Sequence, residues 1–295
     1  MTLRNLEIFV AVCDVMNMTT AADKLFISQS AISQTISELE RHYGVRLFER
    51  LSRKLYLTDA GEKLYGYAQH ILGMNTDLEL AMKTLGEAGS VRLGASVTIA
   101  TYVLPSLITT FKRSSPALTF TVSGDNTEEI EKKLLADKVD LGLVEGELTA
   151  PSLVSTFFSD DDLTLICGTA HRFAALSAVE PRELAGEAFI VREPGSGTRR
   201  TFEDVMATHQ LPWSALWECN STDTIKEAVR AGLGIAVLPK IAVQRELRSK
   251  TLHALPIKGM DFHRTFKIAY HKNKYLTPAL TEFIRFCTDA GSASN

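Results

Sequence analysis

The chain has 295 residues, 45% hydrophobic and 23% charged, which is an ordinary globular composition, and its 32 basic against 35 acidic side chains leave a net charge of −3. That length exceeds one typical core and predicts two or three folded units, while the charge balance excludes a polycation drawn indiscriminately to nucleic acid. No run approaches the roughly 20 apolar residues of a membrane span, and the opening MTLRNLEIFVAVCDVM lacks a long apolar stretch before a small-residue cleavage site. The expected location is therefore the cytoplasm, with no membrane partner.

The opening segment carries Leu6, Phe9, Val10 and Cys13 at helical spacing and reads as an amphipathic helix. A second, short helix has Ala21, Ala22 and Leu25 on one face and a Thr20-x-x-Asp23 capping pattern at its start. A third is predicted from about Ser28 to Arg41. At 100° per residue Ile32, Ile36 and Leu39 share one narrow arc, the core side, and Ser30, Ser33, Gln34 and Ser37 fall on roughly the opposite one. That outer arc is small, polar and almost uncharged. Short hydroxyls and amides can approach base edges, whereas a merely solvated face carries Lys and Glu. Residues 41–58 then place Arg41, Arg46, Arg50, Arg53 and Lys54 against a single acid, Glu49. A reading helix beside phosphate-binding cations predicts a winged helix-turn-helix over residues 1–58 that binds double-stranded DNA. Gln29, Ser30, Ser33, Gln34 and Ser37 are the candidate base contacts, and Arg50 and Arg53 the candidate phosphate or minor-groove contacts. On periodicity alone, plain helix packing is the competing reading.

The run Ala21-Ala22-x-x-Leu25-x-x-Ser28-Gln29-Ser30-Ala31-x-Ser33 continues through Ile36, Leu39-Glu40, Gly44, Leu47-Phe48-x-Arg50, Arg53 and Leu57-Thr58-x-x-Gly61. In this register it closely resembles the N-terminal domain of LysR-type transcriptional regulators. These regulators are near 300 residues long, so the resemblance extends over the whole chain. It implies promoter DNA as the partner, a sensor domain behind the DNA-binding one, a homodimer that assembles into a tetramer, and RNA polymerase as a further partner.

Residues 59–87 contain no Pro. Leu64, Tyr67 or Ala68, Ile71, Leu72, Asn75, Leu78, Ala81, Met82 and Leu85 recur at steps of three and four. A long helix with such a stripe cannot bury it on a small winged domain, so pairing with a second copy is the expected solution, against packing on its own sensor. The resemblance also implies paired linker helices. Residues 59–89 are then linker, dimerisation helix and hinge, with Gly86 to Ser90 as the hinge itself. From Val91 strands and helices alternate: VRLGAS, a helix over YVLPSLITTFKR, LTFTVS, EEIEKKLLA and DLGLVEG. A second unit begins near LTLICG (163–168), and FKIAY with a helix over 277–288 returns to the first. This pattern predicts two α/β lobes with a mainly parallel sheet over 90–295: lobe 1 at about 90–161 and 266–295, lobe 2 at about 162–265. The fold expected for the whole is thus multidomain, α and α/β, with a periplasmic-binding-protein-like sensor.

Ligands of open α/β sheets bind beyond the strands' carboxyl ends. Ser96 and Thr98, then Ser196, Gly197 and Thr198 in a turn, and Ser221 with Thr222 stand at three such places, and Glu145 closes the motif DLGLVEG. Each hydroxyl pair alone is more often a helix cap, but the recurrence favours a shared cleft for a small-molecule effector, with Ser96, Thr98, Glu145, Ser196, Gly197, Thr198 and Thr222 as its candidate contacts. The phrase Arg192-Glu193-Pro194-Gly195-Ser196-Gly197-Thr198-Arg199 resembles the subgroup of sulfur-assimilation and carbon-fixation regulators. That resemblance implies an anion: an oxyanion such as sulfite or sulfate, a small carboxylate or a phosphate ester. Arg199 or Arg200 is the candidate to neutralise it, with a solvated charge at the helix start as the equal alternative. Glu145 would oppose a bare dianion unless bonded or protonated.

Two other classes share such a cleft, a solute-binding module and an enzyme. The helix-turn-helix argues against the first, and no Ser–His–Asp signature or G-x-G-x-x-G supports the second, so no catalytic residue is assigned. The four cysteines, Cys13, Cys167, Cys219 and Cys287, are far apart and read as buried small hydrophobes, with a redox-sensing thiol as the alternative. The seven histidines show no paired spacing, so no metal and no cofactor is expected.

Overall fold

The computed structural model describes residues 1–51, 54–83 and 89–292. The chain divides into two compact units, Met1–Glu87 with the short piece Leu135–Lys138, and Ala88–Leu134 with Val139–Asn295.

In the first unit, α1 (Leu3–Val15), α2 (Met18–Leu25) and α3 (Gln29–Tyr43) enclose a core of Leu6, Phe9, Val12, Ala21, Ile32, Ile36 and Leu39. The predicted cap of α2 is corrected. Asn17 is extended and its side-chain oxygen takes the N–H groups of both Thr19 (2.9 Å) and Thr20 (3.1 Å), so the helix starts before Thr20. Ser28 caps α3, accepting from the N–H of Ala31, and Gly44 ends the helix at φ +69°. Strands β1 (Phe48–Leu51) and β2 (Lys54–Leu57) pair antiparallel. The Leu57-Thr58-x-x-Gly61 motif has a local cause. Thr58 Oγ1 donates to the Arg46 carbonyl (2.7 Å) and accepts from the Gly61 N–H (3.0 Å), fastening the start of α4 (Asp59–Lys83) to the wing.

The predicted single stripe on α4 splits in two. Leu64, Ala68 and Leu72, joined by Tyr65, pack on the head's core, because α4 lies along α1. Tyr67, Ile71, Met74, Leu78 and Met82 stay exposed, at steps of four, three, four and four. Leu85 and the hinge residues Gly86 to Ala88 lie outside the described residues.

The second unit is built on a seven-stranded sheet. Its order is β10 (Leu252–Leu255), β6 (Leu153–Gly168), β11 (His263–His271), β5 (Leu141–Glu145), β3 (Ser90–Ser96) and β4 (Thr119–Asp125), and β9 (Ala236–Pro239) also pairs β6. Only β3 with its neighbours β4 and β5 is parallel there, so the mainly parallel expectation fails for the middle of the sheet. The predicted boundary near residue 163 falls where one continuous strand changes partners. β6 is one strand of 16 residues; its first half pairs antiparallel with β11 and its second half with β9 and β10. Residues 161/162 and 265/266 thus fall inside two continuous strands that both lobes share. The helix expected over YVLPSLITTFKR is α6 (Leu104–Phe111), with Pro105 in its first turn, and a short α5 (Val97–Tyr102), not foreseen, precedes it. α7 (Thr127–Leu135) and α11 (Pro278–Ser292) complete lobe 1, around Phe111, Ile268 and Phe283.

Lobe 2 adds a parallel pair, β7 (Phe189–Arg192) and β8 (Ala215–Cys219), and the helices α8 (Gly197–Thr208), α9 (Thr222–Arg230) and α10 (Lys240–Arg248). Its core centres on Phe173, Phe189, Phe202 and Met206.

Candidate functional site

In the head, Gln29, Ser30, Gln34 and Ser37 are exposed and Ser33 is half-buried, all on the side of α3 opposite Ile32, Ile36 and Leu39. Ser37 Oγ donates to the Ser33 carbonyl (2.9 Å) and Gln34 Nε2 to Glu38 (3.0 Å), bonds that either side chain can exchange for a base edge. A depression of about 510 Å³ between α3 and the wing is lined by Ser33, Ser37, Arg46, Glu49 and Arg50. Arg50 is exposed and, among the described residues, meets the Met18 sulfur (3.5 Å), whereas Arg46 is engaged by Glu40 (3.3 Å). Arg53, the other predicted wing cation, lies outside the described residues.

In the second unit, strand ends and helix starts of the two lobes meet. β3 leads through Ser96 into α5, β4 leads through Asn126 into α7, and β5 ends at Glu145. Against them stands the start of α8. The Glu128 N–H donates to the Gly195 carbonyl (3.2 Å), and a Cβ on Gly197 would lie 2.9 Å from the Glu145 Cβ, carbonyl oxygen and Oε2. Ser196 caps α8 by position, and Gly197 and Thr198 lie in its first turn rather than in the predicted turn before a helix.

The group that joins these residues was not singled out in the sequence. Arg264, on β11, is fully buried. Its Nε donates to Asp161 (2.7 Å), and its Nη1 donates to Glu145 Oε2 (2.8 Å) and to the hydroxyl of Thr198 (3.0 Å). Nη2 reaches Asp161 (2.6 Å) and the hydroxyl of Thr98 (3.4 Å). One guanidinium thus ties lobe 1 to lobe 2. Burial pushes the Asp161 carboxyl above the ordinary carboxylate range, against the pull of Arg264. Three buried atoms at this end of the sheet find no protein partner: Ser96 Oγ, Thr127 Oγ1 and Glu145 Oε1. Thr127 was another omission. Thr222 is buried at the start of α9, but no described hydrogen bond joins it to the Arg264 cluster.

Of the two readings of Arg199, its contacts favour a charge at the helix start over a cation held free for a ligand. Arg199 is held by Glu203 (2.7 Å) and Glu218 (3.0 Å) and donates to the Arg192 carbonyl, and Arg200 points its Nη1 at the Glu147 carbonyl (3.4 Å). Burial pushes the Cys167 thiol up to about 11 and the Cys287 thiol to about 12, which keeps both protonated and unreactive. Among the described residues no group of three His, Cys, Asp or Glu could hold a metal ion, and no helix is long and apolar enough to cross a membrane.

The crossing strands also carry an exposed titrating group. His263 Nδ1 lies 3.1 Å from Asp162 and Nε2 3.1 Å from Asp160, with Lys240 also on Asp162 and Asp261 nearby. The hydrogen bond to Asp162 holds the imidazole above its ordinary 6.5. A raised folded value means the stabilisation is complete below the unfolded pKa and disappears as pH rises through the folded one. Thermal melting should therefore show wild type gaining more over His263→Gln at pH 5.5 than at pH 8.5; an equal gap at both would remove this coupling.

Comparison with known proteins decides the family. The model of the bacterial regulatory helix-turn-helix protein, lysR family, matches residues 3–62, and that of the LysR substrate binding domain matches residues 85–292. The chain belongs to the LysR family of transcriptional regulators. It is 31% identical over 289 residues to the HTH-type transcriptional regulator YeiE of Escherichia coli K12, covering 98% of each chain. It is 32% identical over 286 residues to the transcriptional regulator CbbR of Rhodospirillum rubrum, covering 96% of this chain and 95% of the other. Among solved structures it resembles the regulatory domain of CcmR from Synechocystis in complex with 2-PG, with a TM-score of 0.64 and 27% identity over 69% of this chain and 97% of that one. The family match gives the head its role in binding DNA and the second unit its role as an effector-binding domain. The curated relatives are regulators of transcription, not enzymes.

Proposed function

We propose that the chain is a cytoplasmic regulator that binds promoter DNA as a homodimer and changes that binding when a small anion enters the sensor cleft. The unpaired stripe Tyr67, Ile71, Met74, Leu78 and Met82 is spaced for helix pairing and supplies the dimer contact, and a tetramer follows if two such dimers associate. Two heads on one dimer read two half-sites. Gln29, Ser30, Ser33, Gln34 and Ser37 face base edges, and Arg50 with Arg53 faces phosphates or the minor groove; RNA polymerase is the further partner such a complex serves. Gln34→Ala should cost about 1–3 kcal/mol and relax specificity at one base pair. Selection from a randomised duplex library checks it, and an unchanged profile would remove Gln34 from the reading set.

The observation that carries the sensor reading is the set of buried polar atoms left without a partner at the ends of β3, β4 and β5. Unpaired buried polar atoms are costly, and a ligand that satisfies them recovers that cost. Ser96, Thr98, Thr127, Ser196 and Thr198 offer hydroxyls, with Gly197 allowing close approach and Thr222 at the edge. The CcmR regulatory domain, in complex with 2-PG, supports a small ligand in this domain. Arg264 is already shared by Glu145 and Asp161, so the local formal charge is negative, which disfavours a bare dianion such as sulfate. Glu145 Oε1 can only accept while ionised. A hydroxylated carboxylate brings its own donor and a single charge, so it fits better than sulfate or a phosphate ester, whose charge is at least as large. Binding that favours one arrangement of the lobes then shifts the dimer's DNA-binding geometry. Calorimetry against sulfate, sulfite, phosphate, hydroxy acids and their phosphate esters tests this. Heat from the hydroxy acids alone is expected; binding of an uncharged aromatic and of no anion would remove the reading.

A further inference from the structure

Phe26 stands in the turn between α2 and α3, and its ring is 95% exposed, the highest value among the large hydrophobic side chains of the described residues. Its neighbours behave differently, since Leu25 and Ile27 both turn into the head's core. Its backbone is also unusual. Phe26 ends α2 in the left-handed region, at φ +54° and ψ +42°, with its N–H directed at the carbonyls of Ala22 and Asp23. That conformation favours Gly or Asn, and an aromatic residue rarely adopts it. The fold needs the turn but makes no use of the ring. Two unfavourable features on one side chain are explained by a contact made only in a complex.

The position says which complex. The turn leads through Ser28, the cap of α3, into Gln29 and Ser30, both exposed. In helix-turn-helix proteins the N-terminal residues of the second helix face base edges in the major groove. An uncharged ring beside them gains little from phosphates. The one apolar group that a base pair displays in that groove is the thymine C5-methyl.

We propose that Phe26 packs against a thymine methyl in the major groove of the operator and so adds an apolar specificity contact to the polar ones on α3. This rests on the orientation of the head proposed above. The test starts with a duplex enriched by the full-length wild-type chain from a randomised library, followed by fluorescence anisotropy of wild type and of Phe26→Asn. Asn accepts the left-handed backbone, so the variant should melt at the wild-type temperature or above. Its affinity should fall about 3- to 10-fold with an unchanged salt dependence, because no charge is removed, and its enriched sequences should lose one thymine preference. Replacing that thymine by deoxyuridine removes only the methyl; it should weaken wild type by the same factor and leave Phe26→Asn unaffected. Equal affinity of the two proteins for the enriched duplex would overturn the proposal while leaving the head's orientation intact. A variant that instead changes only the sedimenting oligomer would make Phe26 a subunit contact and overturn it as well. Failure of wild type to enrich any duplex would overturn both readings.

Discussion

Arg264→Met is expected to lower the stability of the sensor unit by about 3–5 kcal/mol, because it leaves Glu145 and Asp161 buried without their shared cation. For a unit of this size that corresponds to a fall of roughly 6–20 °C in its melting temperature. The loss comes from stranded charge rather than from missing attraction. Adding Glu145→Gln and Asp161→Asn to Arg264→Met should therefore recover much of it, although three charged groups have been removed in all. Arg264→Lys should fall between, since one ammonium cannot span Asp161, Glu145, Thr98 and Thr198 as the planar guanidinium does. Melting curves of the four proteins at one pH decide the matter. If Arg264→Met melted within about a degree of wild type, the cluster would be accessible to water and Arg264 would not act as a buried tie between the lobes.

That cluster shows where sequence reading stops. The head was legible because its signals are local: Ile32, Ile36 and Leu39 lie within two turns of one helix, and the serines between them face outward by geometry alone. The candidate hydroxyls at strand ends were legible for the same reason, as caps beside short apolar runs. Arg264 carried no such signal. It lies in HRTFKIAYH, and its partners Asp161 and Glu145 are 103 and 119 residues away, brought to it by the pairing of β11 with β6 and β5. The first half of β6 was missed because it is largely exposed, so Leu153 to Phe157 show no apolar alternation to mark a strand. The break between α5 and α6 was readable in principle, since Pro105 disfavours continuation of a helix through the residues before it. On α4, helical spacing revealed apolar positions but not which of two partners each one meets. A stripe serving the head and a stripe left exposed overlap within one turn, and only the packing of α1 separates them.

Gly197→Ala should damage the sensor although alanine is the better helix former. At an unobstructed helical site the change from Gly gains about 0.5–1 kcal/mol. Gly66 in α4 is such a site, with nothing within 4 Å of an added Cβ, and Gly66→Ala is the control that should raise stability. At Gly197 the new methyl would sit 2.9 Å from the Glu145 Cβ and from its carbonyl oxygen, which belongs to the buried strand β5 and cannot swing aside. Overpacking of this kind costs about 1–3 kcal/mol. The start of α8 is the part able to move, and backing it away draws Thr198 from Arg264 and opens the seam between Gly195 and Glu128. The variant should thus melt lower than wild type and bind the preferred hydroxylated anion at least 10-fold more weakly by calorimetry. Its head, built from a separate core, should bind an enriched duplex without effector as wild type does. An unchanged anion affinity in Gly197→Ala, with Gly66→Ala behaving as expected, would mean that the effector does not require α8 to close on Glu145.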